Sequence, residues 1–154
     1  MIFNTLSTGY YSMNIDLLYQ SNEYSIDISN YDEIKENVGY SILINDLQLE
    51  IGDKGLVLYP WGYCPLVASQ TVDLEIPEYS IGKLFVELDQ QLQVGCSIRY
   101  NSDVWRIYND NGLWFCIGNS KLPKEYTGIE FCPNCIAVIE DHRLVSLYLK
   151  PIII

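Results

Sequence analysis

Leu47-Gln48-Leu49-Glu50-Ile51 places an apolar side chain at every second position and a polar one between. Successive side chains of a strand point to opposite sides, so this pattern predicts a strand with one buried face. Val72, Leu74 and Ile76, alternating with Thr71, Asp73 and Glu75, repeat it. Outward from these runs, Asn45-Asp46, Gly52-Asp53-Lys54-Gly55, Asn109-Asp110-Asn111-Gly112 and Asp141-His142 fall between apolar segments. Such residues tolerate the positive φ of tight hairpins, so the connections read as turns between antiparallel strands.

Two segments depart from this period. Asn30 followed by Glu33 has the spacing of a capping box, and Gly39 suits the position after a helix end, which predicts a short helix between them. From Pro77 to Leu92 the apolar residues Ile81, Leu84, Phe85, Leu88 and Leu92 follow the i, i+3, i+4, i+7, i+11 spacing of one helix face. Gly82 weakens that helix, and Leu84-Val86-Leu88 also fits a strand. The resulting expectation is an α+β fold, predominantly antiparallel β-sheet arranged as a sandwich or partly open barrel, with one or two short helices. At 154 residues and 49% hydrophobic composition, without repeat or flexible linker, residues 1–154 read as a single domain with one substantial core.

Composition narrows the function classes. Twenty Asp and Glu against nine Lys and Arg give a net charge of −11, which opposes nucleic-acid binding because phosphates require clustered basic residues. Met1 to Ile15 has no Lys or Arg and is broken by polar residues, unlike a secretory signal. The uncharged run Gly55 to Val72 contains Pro60 and Pro65, which would leave backbone groups unsatisfied in lipid, so no membrane span is expected. The expected compartment is the cytoplasm. There the five cysteines, Cys64, Cys96, Cys116, Cys132 and Cys135, are free thiols that act chiefly as small apolar packing residues.

Motifs for chemistry are sparse. Cys132-Pro133-Asn134-Cys135 has the spacing of a zinc or redox pair, but no second pair completes a four-ligand zinc site. The strand-like Ile136-Ala137-Val138-Ile139 follows where a redox dithiol would open a helix, so the motif reads as a turn flanked by thiols. His142, the single histidine, sits in a turn between strand-like runs. Phosphate loops, nucleophile elbows and paired metal histidines are absent. Neither an enzyme nor a metal or other cofactor is expected; a thiol-dependent enzyme using Cys132 and Cys135 is the weakest of three functional readings.

Charge placement supports the strongest one. The first 53 residues hold nine acidic residues and one basic residue, Lys35, for a net −8. A field of one sign accelerates association with a basic partner by about 10 to 1,000-fold. Tyrosines run through the same stretch and supply rigid contact area. The expected partner-binding residues are Glu23, Tyr24, Asp27, Tyr31, Asp32, Glu33, Glu36, Tyr40, Asp46 and Glu50. This acidic, tyrosine-rich profile is similar to that of colicin-type immunity proteins. The resemblance is one of profile and carries over no functional residue. It implies an immunity or antitoxin-type inhibitor that covers the basic surface of a nuclease-like toxin. The alternative is a small-ligand-binding β-barrel or sandwich, with Tyr59-Pro60-Trp61-Gly62-Tyr63-Cys64-Pro65, Trp105 and Trp114 lining a pocket.

Overall fold

The computed structural model describes residues 1–52, 54–101 and 103–154. In chain order the strands are β1 (Ile2–Ser7), β2 (Leu17–Gln20), β3 (Ser25–Ile28), β4 (Val38–Ile44), β5 (Leu47–Gly52), β6 (Val57–Tyr63), β7 (Gln70–Thr71) and β8 (Ser80–Glu87). They continue as β9 (Ser97–Arg99), β10 (Ile107–Asn109), β11 (Phe115–Gly118), β12 (Thr127–Cys132), β13 (Cys135–Glu140), β14 (Arg143–Leu149) and β15 (Ile152–Ile153). One sheet has the order β1-β8-β12-β13-β14-β11-β10-β7 and the other β15-β2-β3-β6-β5-β4-β9. The fold is thus mainly antiparallel β-sheet in two layers. Among the described residues, helical structure is limited to the 3₁₀ turns Tyr31–Glu33 and Leu66–Ala68.

The alternation at residues 47–51 sets the second sheet. Ile42 faces Leu49 and Ile44 faces Leu47 across β4 and β5, and all four are buried in the core between the sheets. The centre of the first sheet is buried on both sides. Along β13, Cys135, Ala137 and Ile139 enter the core shared with the second sheet, while Ile136 and Val138 enter a smaller outer core. A strand covered on both faces has no polar side, which is why Ile136-Ala137-Val138-Ile139 is continuously apolar.

That outer core explains one departure from expectation. Of Thr71 to Ile76 only Thr71 is in a strand; after the Val72 amide, which donates to the Asn109 carbonyl at 2.8 Å, the rest lies over the first sheet outside any strand, burying Leu74 and packing Val72 and Ile76 beside it. Period-two alternation records a half-covered extended chain and does not require a sheet partner.

The helix expected from Pro77 to Leu92 is instead strand β8. It pairs antiparallel with β1 and parallel with β12, and its buried residues are Gly82, Leu84 and Val86. Period two wins because sheet neighbours satisfy the backbone on both sides. Gly82 is a requirement of this crossing: a Cβ there would lie 2.1 Å from the Leu6 carbonyl oxygen and 2.9 Å from Ile129 Cδ1. Gly82→Ala is expected to destabilise the fold by about 1–3 kcal/mol, the cost of overpacking. Urea unfolding checks this; an unchanged midpoint would contradict the packing described.

The helix expected after Asn30 shortens to one 3₁₀ turn. Asn30 is left-handed (φ 56°), and its side chain makes no capping hydrogen bond. Gly39 lies in β4, where pairing with β5 shifts register between Val38 and Tyr40, so it serves a bulge. The Asn45-Asp46 and Asp141-His142 turns join β4 to β5 and β13 to β14, with positive φ at Asn45, Asp141 and His142. Asp53, in the Gly52-Asp53-Lys54-Gly55 turn, lies outside the described residues.

Candidate functional site: an acidic and aromatic sheet face

The same alternation that buries Ile42, Leu49 and Ile51 turns Ser41 and Glu50 to the other side of the second sheet. Ser41, Glu50 and Tyr59 stand in register across β4, β5 and β6. Glu50 is a buried carboxylate, only 5% exposed. Its Oε2 accepts hydrogen bonds from Trp61 Nε1 at 2.7 Å and from Ser41 Oγ at 3.2 Å. On β3, Ile26 and Ile28 enter the core, leaving Asp27 on the outer side. Tyr31, from the 3₁₀ turn, sets its ring edge-to-face on Tyr59, with centroids 6.2 Å apart at 82°. Its hydroxyl donates a hydrogen bond to Asp27 Oδ1.

Two aromatic side chains are therefore each tied to a carboxylate: Trp61 to Glu50, and Tyr31 to Asp27. Burial, followed by the charges of Glu50 and Asp27, pushes the Tyr59 hydroxyl up to about 12, so it remains a neutral phenol. Burial also raises Tyr31, and its hydrogen bond to Asp27 raises it further. Tyr31 is 53% exposed. Tyr31 is exposed and Trp61 half-buried, each beside a carboxylate, an arrangement of aromatic surface and negative charge that suits Lys or Arg side chains.

The ten residues expected from sequence divide. Asp27, Tyr31 and Glu50 come together. Glu23 and Tyr24 in the β2–β3 turn, with Asp46 in the β4–β5 turn, lie at one end of the second sheet. Asp32, Glu33 and Glu36 are exposed in the connection from β3 to β4, at the opposite end. Tyr40 faces inward, opposite Ile51, and packs on the core. Sequence reasoning assigned Tyr59 and Trp61 to a ligand pocket and missed Ser41. Ser41 and Tyr59 stand directly opposite Glu50 in the strand register, and Trp61, opposite Gln48, reaches it from the diagonal position.

The other candidate groups stand elsewhere. Cys132 and Cys135 face each other across the β12–β13 hairpin, joined by Pro133-Asn134 with Asn134 at φ 64°, and both are fully buried. Burial raises the Cys135 thiol well above its ordinary value, and Cys132 beside it adds to the shift, so it keeps its proton. Among the described residues no group of three or more His, Cys, Asp or Glu is arranged to hold a metal ion. His142 is exposed, with Nδ1 3.2 Å from the Phe3 carbonyl oxygen. Trp114 packs on the outer core and carries the Lys150 ammonium 5.8 Å from its ring centroid.

A cavity of about 480 Å³ opens at the end of the sheets that bears Asp46. Ile44, Leu47, Cys64, Trp105, Arg106 and Ile117 are among its lining residues. Tyr63, Cys64 and Pro65 from the expected aromatic segment reach it, whereas Trp61 is not among its lining residues.

No helix among the described residues is long and apolar enough to cross a membrane. The chain matches no protein-family model and no curated protein sequence.

Proposed function

We propose that this chain is a small acidic protein-binding module of the cytoplasm that occupies a basic surface on a protein partner. Its most concrete form is an immunity or antitoxin-type inhibitor of a nuclease-like toxin. The observation that carries this reading is the pairing of Trp61 with Glu50 and of Tyr31 with Asp27 on one sheet face. Aromatic side chains fixed before binding lose little conformational freedom on association, so more of their contact energy is retained. The carboxylates Asp32, Glu33 and Glu36, next along the chain from Tyr31, extend the negative field beside it. A nuclease must present a basic groove to bind phosphates, and that groove is the complementary surface. A stable contact of this kind buries about 1,600 Å² in total.

Affinity capture from the native host at low salt, using wild type and an Asp27→Asn, Tyr31→Ala double variant, tests the proposal. The expected result is one basic protein retained by wild type, released by added salt and absent from the variant eluate. Its nuclease activity should fall on adding the wild-type chain. Retention of only acidic proteins, or equal retention by both chains, would overturn it.

A further inference from the structure

The cavity at the Asp46 end of the sheets points to a second site, independent of protein binding. We propose that it binds a small, neutral, planar aromatic molecule carrying a hydrogen-bonding group at one end. Its floor is aliphatic, formed by Ile44 and Leu47 from the second sheet and Ile117 from the first, all buried. At about 480 Å³ it falls within the size range of small-molecule pockets.

The wall is Trp105, and the structure holds it in three ways. Asn45 clamps its backbone, with Nδ2 donating to the Trp105 carbonyl at 2.7 Å and Oδ1 accepting from the Trp105 amide at 2.9 Å. Gly118 beneath it is at φ 114°, and a Cβ there would come within 2.7 Å of the indole. Tyr100 meets the ring edge-on, with centroids 5.8 Å apart at 75°. A flat wall fixed before binding favours a flat ligand, at low entropic cost. Cys64, also lining the cavity, is a protonated thiol that burial pushes up to about 12, so it offers apolar contact and no nucleophile.

The mouth sets the ligand's charge. Asp46 and Arg106 line it and are exposed. Arg106 opposes a cation, while Asp46 and the net charge of −11 oppose an anion. One guanidinium and one carboxylate together supply donors and an acceptor for a neutral polar group.

The test uses N-phenyl-1-naphthylamine, a neutral aromatic amine whose fluorescence rises in apolar surroundings, alongside 8-anilinonaphthalene-1-sulfonate, the same skeleton with a sulfonate. The neutral probe is expected to bind saturably at one per chain and to quench tryptophan emission. The sulfonate is expected to bind about tenfold more weakly. Ile107→Trp, which adds an indole inside the cavity, and Ala68→Phe, which fills it from the exposed end of the 3₁₀ turn Leu66–Ala68, are both expected to abolish probe binding. Near-UV circular dichroism identifies folded variants; if Ile107→Trp fails to fold, Ala68→Phe decides. No saturable binding to wild type, undiminished binding to a folded filled variant, or equal affinity for the sulfonate would overturn the proposal.

Discussion

Between pH 9 and pH 12 the folding stability of the chain is expected to fall by several kcal/mol. Burial pushes the thiols of Cys64 and Cys116 from the ordinary 9.0 up to about 12. Below pH 9 both thiols are protonated whether the chain is folded or unfolded, and their contribution is fully present. Above it the unfolded chain ionises while the folded chain keeps its protons, so stability falls with rising pH until the folded thiols titrate. Each contributes a slope of about 1.4 kcal/mol per pH unit, or about 4 kcal/mol over the interval. Together the two losses approach the whole stability of an ordinary domain, about 5–15 kcal/mol. Tyr59, also raised by burial, acts in the same direction above pH 10. Urea midpoints at pH 8, 9, 10 and 11 measure the effect, and a Cys64→Ala, Cys116→Ala variant should show a flatter profile. A wild-type midpoint constant to pH 11, or an identical slope in the variant, would contradict the burial described.

Tyr31→Ala is expected to weaken partner binding by about 2–4 kcal/mol, roughly 30- to 1,000-fold, the range of an aromatic hot spot. The ring is half exposed, so its removal should spare the fold. Tyr31→Phe keeps the ring on Tyr59 and loses only the hydrogen bond to Asp27, so it should recover most of the affinity. Glu50→Gln tests positioning in the same way: Trp61 retains an oxygen acceptor but the buried charge is gone. An affinity unchanged by Tyr31→Ala would remove this face from the interface. Isothermal titration with the captured partner is the measurement.

The two-layer antiparallel sheet was legible because residues 47–51 and the Asn45-Asp46 and Asp141-His142 turns agree on period and punctuation. The segment from Pro77 to Leu92 was not, because Leu84 satisfies both a period of two and a period of 3.6, and only the sheet partners decide. Gly82 looked like a defect in a helix; contact with Leu6 and Ile129, distant in sequence, makes it necessary. For the site, the acidic and tyrosine-rich first third was visible as composition. Which of its residues meet was not, because Tyr31 reaches Tyr59 and Glu50 reaches Trp61 only through tertiary register. Tyr40 shows the limit of composition most plainly: it neighbours Ser41 in sequence but points to the opposite side of β4.

If negative charge and fixed aromatics on the second sheet bind a basic protein surface, as proposed, electrostatic attraction sets the rate of encounter. Stopped-flow association of the purified partner, between about 0.01 M and 1 M salt, tests it most directly. Over that span the screening length falls from about 30 Å to about 3 Å. The association rate is expected to drop steeply with salt. Neutralising Asp27, Asp32, Glu33 and Glu36 together should slow association at low salt and flatten the dependence. A rate indifferent to salt, or unaltered by the fourfold neutralisation, would contradict it.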